Sequence, residues 1–470
     1  MIYIVGAGPG DLGLLTLRGY EVLKRADIVI YDNLVGEGIL SIIPEAAEKL
    51  DAGKSAGHHK MKQSEIEAAL IKLSSSGKNI VRLKGGDPFL FGRGGEEAEA
   101  LIREGIKFEI VPGVCSALSV PAYAGIPATH RDYSSGVKIF TAHDKNNLIP
   151  SSDSSTSIFL MGVANSEALQ NELLKTMKPL TPCSIIENGT KSSQRVVRTT
   201  LAELHASIVR ENIVPPAVIV AGGTAELNLD WRSNLPLAGK KIIVTRPEIR
   251  AGKLSSMLRD LGAEVVLMPT IKTRTIHGAI DGANLTGYDW IGFTSVTGVE
   301  ALMELLNETG RDVRELGSAK IAAIGQATKD ALNSHCLKVD YVPEVFDGVH
   351  LAEGLAKSGG KILMFRAENG TPEIQNTFIN YGIIAEQICI YRTDYVKLSH
   401  VPKFADIIIF TSSSTVRGFA ENSNLLRDSF AVCIGKQTAD EALRAGFNNI
   451  RIAEQATISD IVHACVSINS

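Results

Sequence analysis

The chain has 470 residues, of which 44% are hydrophobic and 21% charged, with 43 glycines and 17 prolines. This composition is typical of a globular protein and excludes disorder, collagen or coiled coil as the main architecture. The 48 basic and 52 acidic side chains leave a net charge of −4, which argues against a general nucleic-acid partner. At least two hydrophobic cores are expected, because a single core stops growing beyond about 250–300 residues.

Short β-branched runs alternate with amphipathic stretches, as in an α/β protein with largely parallel sheets. The predicted strands are 2–5, 27–31, 80–83, 108–111, 137–141, 157–160, 184–187, 217–221, 241–245, 263–267, 289–294, 320–324, 361–365, 406–411 and 431–434. The clearest predicted helices are 14–25, 63–76, 95–104, 165–176, 250–261 and 297–306. No apolar run approaches the roughly 18 residues of a membrane span, so no membrane partner is expected.

The six cysteines are scattered and form no CxxC motif, so neither a metal site nor a disulfide scaffold is expected. Scattered thiols fit a reducing compartment. The first residues enter a strand at once, which leaves no room for a signal peptide. The default expectation is therefore a cytoplasmic protein.

Two stretches have the composition of linkers. Residues 143–157 are rich in serine and lack periodicity, and residues 224–240 end in Pro236 and Gly239 just before a predicted strand. We place the major domain boundary near 235–240 and a minor boundary near 145–155. The first domain, 1–235, would then have lobes of about 1–145 and 155–235.

The second half, 240–470, contains a degenerate repeat. KIIVTR at 241–246 returns as KILMFR at 361–366, and FTS at 293–295 returns as FTS at 410–412. IGQAT at 324–328 returns as IGKQT at 434–438. The repeat predicts two similar lobes with a cleft between them, because its period is too long for a solenoid.

A glycine-rich loop, GAGPGD at 6–11, follows the first strand. A dinucleotide-binding loop needs a third glycine where Asp11 stands, and a carboxylate there would oppose a pyrophosphate. Asp32 nevertheless ends the second strand, where a ribose-binding acid is expected. A nicotinamide site and a purely structural turn therefore remain alternatives.

The densest segment, VRLKGGDPFLFGRGGEE at 81–97, has five glycines between a strand and a helix. Glycine permits close approach of the backbone to a ligand, and ligands bind at the carboxyl ends of strands in such sheets. Arg93 and Glu96 are three residues apart and are expected to face one cleft. Glu97 is expected to be only a helix-dipole partner.

Together with YDNLV, GKSAGHH, VPGVCSA, GIPATHRDYSSGV, LMG and ENGT, these segments resemble uroporphyrinogen-III C-methyltransferases, in the family's order and over residues 1 to about 235. The FGRGGEE segment favours this branch over related methylases of diphthine or ribosomal RNA. The resemblance implies a two-lobed tetrapyrrole methylase fold that binds S-adenosyl-L-methionine between its lobes. The implied cofactor-binding residues are Pro9, Gly85, Gly86, Asp87, Leu90, Cys115, Ser116, Met161 and Gly189.

Two of these residues are open to other interpretations. Cys115 replaces a threonine that is common in the family, which leaves its hydrogen bond in doubt. Met161 offers an adaptable apolar wall, whereas the alternative for a lone methionine is core packing.

The implied reaction transfers two methyl groups to pyrrole-ring carbons of uroporphyrinogen III and gives precorrin-2. The resemblance implies that Asp32 and Lys54 are the acceptor and donor of protons. It implies that Arg93 and Glu96 are the pair that handles substrate and protons. Which of these four residues is the base stays open. The implied candidates for substrate carboxylates are His130 and Arg131, with solvated surface charges as the alternative. The family implies a homodimer through this half, and no metal.

Residues 240–470 resemble uroporphyrinogen-III synthases through IIVTRP, FTSVTGV, IGQAT, FTSSSTV and CIGKQTA, with Thr297 where asparagine is common. The resemblance implies a two-lobed fold with parallel sheets, one lobe of about 240–272 plus 398–470 and the other of about 273–397. The two halves would catalyse consecutive steps, as a fusion of this order suggests. Siroheme and cobalamin remain equally open as end products.

The implied synthase reaction closes hydroxymethylbilane to uroporphyrinogen III, with loss of water and inversion of the last ring. Tyr391 would assist departure of the hydroxyl group. The candidates for carboxylate binding at strand-to-helix turns are Ser295, Ser412, Ser413 and Thr438. Helix capping is the alternative for these hydroxyls, and a non-catalytic two-lobed tetrapyrrole-binding module is the alternative for this half.

Overall fold

The computed structural model describes residues 1–53, 61–142, 154–246, 248–370, 372–398 and 401–468, without the side chains of 248–250. The chain divides into two compact units. The first comprises Met1–Met268 and Ser399–Ser470, and the second comprises Pro269–Leu398. Within the described residues, no helix is both long enough and apolar enough to cross a membrane.

The first sheet has five parallel strands. Its strands are β1 (Ile2–Gly6), β2 (Ile28–Tyr31), β3 (Glu48–Asp51), β4 (Ile80–Lys84) and β5 (Phe108–Val111), and its helices are α1 (Leu17–Lys24), α2 (Glu37–Leu40), α3 (Gln63–Ser74) and α4 (Gly94–Arg103). The order is β3-β2-β4-β1-β5, so β1 and β4 are neighbours inside the sheet. Both glycine-rich loops therefore leave the sheet side by side at its carboxyl edge.

The second sheet departs from the parallel expectation. Its strands are β6 (Val137–Thr141), β7 (Thr156–Leu160), β8 (Pro182–Glu187), β9 (Arg195–Thr200) and β10 (Ala217–Ala221), and its helices are α5 (Ser116–Tyr123), α6 (Ser166–Leu173) and α7 (Leu204–Arg210). Only β6 and β7 pair in parallel; β10 is antiparallel to β7 and β8, and β8 to β9. A short connection such as that between β8 and β9 permits only antiparallel pairing, since parallel pairs need a crossover.

The minor boundary near 145–155 is placed too late in the sequence. The strand β6 already belongs to the second sheet, and α5 before it packs on β7 and β10. Serine-rich composition indicates a loop but carries no information about which sheet the flanking strands join. Thr156 and Ser157, predicted as linker, belong to β7, and residues 143–153 lie outside the described part.

The second half forms ten strands and eight helices in its described part. The strands are β11 (Lys241–Val244), β12 (Glu264–Leu267), β13 (Ile271–Thr275), β14 (Trp290–Phe293), β15 (Lys320–Ala323), β16 (Ile362–Ala367), β17 (Ala385–Tyr395), β18 (Ile407–Phe410), β19 (Phe430–Cys433) and β20 (Ile450–Ile452). The helices are α8 (Glu248–Asp260), α9 (Val296–Glu308), α10 (Gln326–Ser334), α11 (Gly348–Ser358), α12 (Glu373–Asn380), α13 (Ser413–Asn422), α14 (Lys436–Arg444) and α15 (Ile458–Val466). They build a third sheet, β12-β11-β18-β19-β20, in the first unit and a fourth, β13-β17-β16-β14-β15, in the second.

The repeat in the sequence corresponds to a repeat in topology. The parallel series β12-β11-β18-β19 and β17-β16-β14-β15 place the repeated segments at equivalent strands. Ser295 and Ser412 cap α9 and α13 with nearly the same backbone angles, and Gly325 and Gly435 precede α10 and α14 likewise. The two lobes are therefore built on the same strand pattern, although β13 adds an antiparallel edge strand to the fourth sheet.

One hydrophobic core continues from the first sheet into the third. It joins Val29 and Ile39 of the first sheet's layers to Val265 and Ile407 of the third. Burial of such a continuous apolar surface favours one cooperative body within the first unit.

Candidate active sites at the carboxyl ends of the strands

The loops after β1, β4 and β5 touch through glycine backbone. Gly8 N–H donates to the carbonyl of Gly86 at 3.1 Å, and Gly86 N–H donates to that of Gly8 at 2.7 Å. Gly86 has φ +68°, a conformation that favours glycine. A Cβ on Gly113 would lie 2.2 Å from Gly86 O and 2.7 Å from Gly6 Cα. The three loops thus meet in one junction of glycine backbone, here called the glycine surface, in which Gly6, Gly8 and Gly86 are buried and Gly85 and Gly113 are partly exposed.

Replacing Gly113 by alanine is expected to weaken binding of the methyl donor that the sequence resemblance implies, probed with S-adenosylhomocysteine, at least about tenfold, because the added methyl group forces these loops apart. Isothermal titration calorimetry of the full chain measures the effect. Gly252→Ala is the matched control, since a Cβ there meets nothing within 4 Å. Unchanged affinity in Gly113→Ala would show that the contact of the loops is not needed for the ligand.

Asp87 organises this surface from within. Its Oδ1 accepts from Phe89 N–H at 2.8 Å, and its Oδ2 accepts from Gly113 N–H at 3.0 Å. The carboxylate therefore ties the β4 loop to the β5 loop. Pro9 follows β1 in the same cluster, and Leu90 lies partly exposed in the β4 loop.

A chain of four charged side chains lies beneath the loops. Arg82 Nη2 is 2.6 Å from Asp32 Oδ1, and its Nε is 3.1 Å from Glu97 Oε1. Lys84 Nζ is 2.7 Å from the same Glu97 oxygen. The side chain of Glu97 is fully buried, whereas that of Asp32 is 31% exposed. The network thus holds Asp32 in place, and Asp32 is the carboxylate of this group that reaches the surface.

The prediction for Glu97 as a helix-dipole partner alone is wrong, because this side chain holds two buried cations. Burial lowers the pKa of the Lys84 ammonium and Arg82 adds to this shift, while Glu97 and Asp32 oppose it. Sequence reasoning missed Arg82 and Lys84 as well. Two cations at alternate positions of a strand inside a sheet share one face, and such a pair needs a buried acid.

Arg93 and Glu96 bind each other at the start of α4. Arg93 Nε donates to both Glu96 oxygens, at 2.9 and 3.1 Å, and both side chains are about half exposed. The hydrogen-bonded Arg93 guanidinium lowers the pKa of Glu96. Arg93 is the N-cap residue of α4 and has φ +60°, a conformation that is strained for a residue with a side chain. The predicted pair is thus present as an exposed ion pair beside the glycine loops.

The second lobe contributes residues from β7, α5 and the turn after β8. Met161 follows β7 with φ +58° and a side chain about half exposed, so core packing does not explain it. Cys115 caps α5 and Ser116 begins it; burial raises the pKa of the Cys115 thiol. A Cβ on Gly189 would lie 2.3 Å from Val120 Cγ1, so helix packing alone requires glycine there.

Three first-half candidates remain: His130, Arg131 and Lys54. His130 is in a turn, where its Nδ1 accepts from Asp132 N–H at 3.2 Å, and Arg131 is exposed beside it. Lys54 falls in 54–60, outside the described residues. Among the residues that the structure covers, no cluster of three or more His, Cys, Asp or Glu side chains is placed to hold a metal ion.

In the second unit, Ser295 and Tyr391 come together. Their hydroxyl oxygens are 2.8 Å apart, and Ser295 Oγ also accepts from Gly298 N–H at 3.0 Å as the cap of α9. Tyr391 lies in β17, 96 residues after Ser295 in the sequence, and 7% of its surface is exposed. The pairing of the two hydroxyls was not predicted, because the two residues are distant in the sequence.

In the first unit, Ser412 and Ser413 lie at the start of α13 after β18, and Thr438 lies in the first turn of α14 after β19. Ser412 Oγ accepts from Thr415 N–H at 3.3 Å as the cap of α13. Ser413 Oγ donates to Gln437 O at 3.3 Å and is partly exposed, whereas Thr438 is buried in α14. Both halves therefore present polar groups at the carboxyl ends of parallel strands, as α/β enzymes do.

Comparison with known proteins identifies both halves. Residues 1–205 match the family of tetrapyrrole (corrin/porphyrin) methylases, and residues 252–463 match uroporphyrinogen-III synthase HemD. Porphyrin biosynthesis protein HemD of Ruminiclostridium josui is 40% identical, over 99% of this chain and 98% of that protein. Uroporphyrinogen-III C-methyltransferase of Bacillus subtilis (strain 168) is 36% identical, over 71% of each chain. A Methanosarcina barkeri protein, named S-adenosyl-L-methionine-dependent uroporphyrinogen III methyltransferase, is 44% identical over 48% of this chain and 92% of its own.

The chain is thus a two-part enzyme of tetrapyrrole biosynthesis, a methyltransferase followed by a synthase. It belongs to the family of bifunctional fusions of a tetrapyrrole methylase and a uroporphyrinogen-III synthase. The resemblance of the sequence to this fusion is confirmed, as are the α/β class and the two-lobed folds.

Proposed function

We propose that the first half, 1–235, methylates uroporphyrinogen III twice to precorrin-2, and that the second, 240–470, makes that substrate from hydroxymethylbilane. The observation that carries the first activity is the glycine surface of the β1, β4 and β5 loops beside the partly exposed Asp32. A donor with adenosyl and amino-acid parts binds through main-chain contacts, and glycine lets the backbone of these loops approach it closely. The relative from Methanosarcina barkeri, named for S-adenosyl-L-methionine, supports the choice of donor.

The proposed donor site consists of the residues that the sequence resemblance implies. They are Pro9, Gly85, Gly86, Asp87, Leu90, Cys115, Ser116, Met161 and Gly189. When bound, S-adenosyl-L-methionine supplies an electrophilic methyl group on sulfur. The glycine backbone orients it, the exposed Met161 side chain covers apolar surface, and Asp87 keeps the loops in register. In-line transfer depends chiefly on such positioning.

Proton handling is assigned to the charged residues that the sequence resemblance implies for this role. The carbon that is methylated must lose a proton, so a base and an acid are needed. We assign these roles to Asp32, Glu96 and Lys54, with Arg93 holding a substrate carboxylate or Glu96. His130 and Arg131 are proposed to bind further carboxylates.

For the synthase we propose that hydroxyl groups near the carboxyl ends of strands bind carboxylates of hydroxymethylbilane. The proposed residues are Ser295, Tyr391, Ser412, Ser413 and Thr438. The Ser295–Tyr391 pair supports a role for Tyr391 in departure of the terminal hydroxyl, because a phenol donates a hydrogen bond to a leaving oxygen.

Replacing Tyr391 by phenylalanine is expected to slow ring closure about tenfold, the effect of losing one hydrogen bond in the transition state. The rate of uroporphyrinogen III formation measures this, with methylation of preformed uroporphyrinogen III as the internal reference. Tyr395→Phe in the same strand, where the side chain is exposed, is the control. Normal ring closure by Tyr391→Phe would remove Tyr391 from the mechanism.

The experiment that tests the whole proposal supplies fresh hydroxymethylbilane with and without S-adenosyl-L-methionine and identifies the products by mass and isomer analysis. We expect isomer III without the methyl donor and a dimethylated product with it. Isomer I in both samples would mean that the second half does not invert the ring and would favour a binding module. The homodimer and the cytoplasmic location stay predictions of the sequence.

A further inference from the structure

Two strands of the synthase half contact the methyltransferase half through an ion pair. Lys241 begins β11 and Glu264 begins β12, opposite each other in register. Lys241 Nζ lies 2.7 Å from Glu37 Oε2 and 3.5 Å from Glu264 Oε1. Glu37 begins α2 of the first methyltransferase lobe, so one lysine joins the two halves.

The other oxygen of Glu264 binds the second methyltransferase lobe. Its Oε2 accepts hydrogen bonds from Ser192 N–H, at 2.8 Å, and from the Ser192 hydroxyl. Ser192 lies in the turn between β8 and β9 of the second sheet. The Lys241–Glu264 pair therefore contacts both methyltransferase lobes at once. Its side chains are only 16% and 13% exposed, so solvent screens the pair less than a surface pair.

Both contacted segments border the proposed donor site. Glu37 follows the loop of Asp32, and Ser192 follows Gly189. Each segment also packs on the loop after β1: a Cβ on Gly36 would lie 2.1 Å from Gly10 O, and Asp11 N–H donates to Thr190 Oγ1 at 3.2 Å. A shift of either segment would therefore move the glycine surface.

The contact is reinforced along β12, the edge strand of the third sheet. Leu267 N–H donates to Ser41 Oγ at 3.2 Å, and a Cβ on Gly38 would lie 3.0 Å from Val265 O. Burial alone would lower the pKa of Lys241, but Glu264 and Glu37 outweigh it and raise the pKa, so the lysine stays charged.

We propose that the Lys241–Glu264 pair is a clamp by which the synthase half holds the two methyltransferase lobes at the separation that the methyl donor requires. Glu264 and Lys241 are then positioning residues for methylation, although they belong to the other enzyme. This inference rests on the proposed function, since it takes the segments at 32–37 and 189–192 as borders of the donor site.

The test uses the full chain with Glu264→Ala and S-adenosylhomocysteine as the probe, titrated by calorimetry. The dissociation constant is expected to rise about fivefold or more, the lower range of coupling between distinct sites. The KM for S-adenosyl-L-methionine should rise likewise, while ring closure without the donor stays unchanged and shows that the synthase half is folded.

The repeat offers a matched control. Glu386 of β17 pairs with Lys361 at 3.2 Å and accepts a hydrogen bond from the Tyr288 hydroxyl at 2.6 Å. Glu264 of β12 likewise binds one lysine and one hydroxyl group. Glu386→Ala should leave S-adenosylhomocysteine binding unchanged.

Ser192→Ala is the second variant, because it removes only the hydroxyl contact from a surface turn and does not alter the synthase core. It should weaken binding about twofold, and adding it to Glu264→Ala should cause no further loss. If Glu264→Ala closes the ring normally and binds S-adenosylhomocysteine with wild-type affinity, the clamp is overturned. If Glu264→Ala loses ring closure, wild-type affinity in Ser192→Ala overturns the clamp instead. Absence of binding by the wild-type chain would instead overturn the proposed function and the clamp with it.

Discussion

Glu97→Ala is expected to lower the free energy of unfolding of the first unit by about 3–5 kcal/mol, the usual cost of removing one member of a buried ion network. The reason is the burial of its two partners. Arg82 and Lys84 have side chains only 2% and 3% exposed, and both bind Glu97 Oε1. Without Glu97, Arg82 keeps its ion pair with Asp32, whereas Lys84 loses the carboxylate that it binds.

Urea unfolding followed by circular dichroism measures this loss. Glu99→Ala is the matched control: Glu99 is exposed two residues further along α4, and its replacement should change stability by no more than about 0.5 kcal/mol. Methylation should fall with Glu97→Ala even where the protein is still folded, because Asp32 loses the support that Glu97 gives through Arg82. Equal stability of the Glu97 and Glu99 variants would contradict the network.

Glu96→Ala is expected to abolish methylation, with a loss of at least about 100-fold, while leaving ring closure intact. The factor is the lower range for removal of a group that moves a proton in the transition state. The side chain is exposed and its partner is Arg93, so its removal leaves no buried charge unpaired and should not unfold the protein. The same variant also releases Arg93 from the geometry set by three hydrogen bonds.

The measurement is dimethylated product from preformed uroporphyrinogen III, beside ring closure of hydroxymethylbilane by the same preparation. Glu99→Ala again serves as control, since it removes an exposed carboxylate from the same helix away from Arg93. Near-normal methylation would eliminate Glu96 as a proton-handling group. Loss of both activities together would point to misfolding or to obligatory coupling of the two halves.

Much of the architecture was predictable from local sequence. All fifteen predicted strands are present, because runs such as Ile2–Gly6 and Ala217–Ala221 are buried and rich in β-branched residues. The strands that were missed are β3, β9, β13, β17 and β20, which are partly exposed and carry charged or polar side chains. Such strands are held by pairing with a neighbour, and pairing is not visible in a hydrophobic pattern.

The site was predictable where a motif is continuous and not where its parts are distant. Arg93 and Glu96 were paired correctly, because three residues across a helix start keep them close. The Ser295–Tyr391 pair joins positions 96 residues apart, and no local pattern predicts it.

The sequence alone determined the α/β class, the family of each half, the loops that carry the glycines and the lobe repeat. Those properties depend on local hydrophobicity, turn residues and ordered motifs. Only the tertiary structure decided that Glu97 binds two buried cations, that the second sheet is mainly antiparallel, and that Lys241 and Glu264 contact both methyltransferase lobes. The physical reason is common to all three: burial and pairing depend on which distant segments become neighbours, and packing sets that choice only when the whole chain is folded.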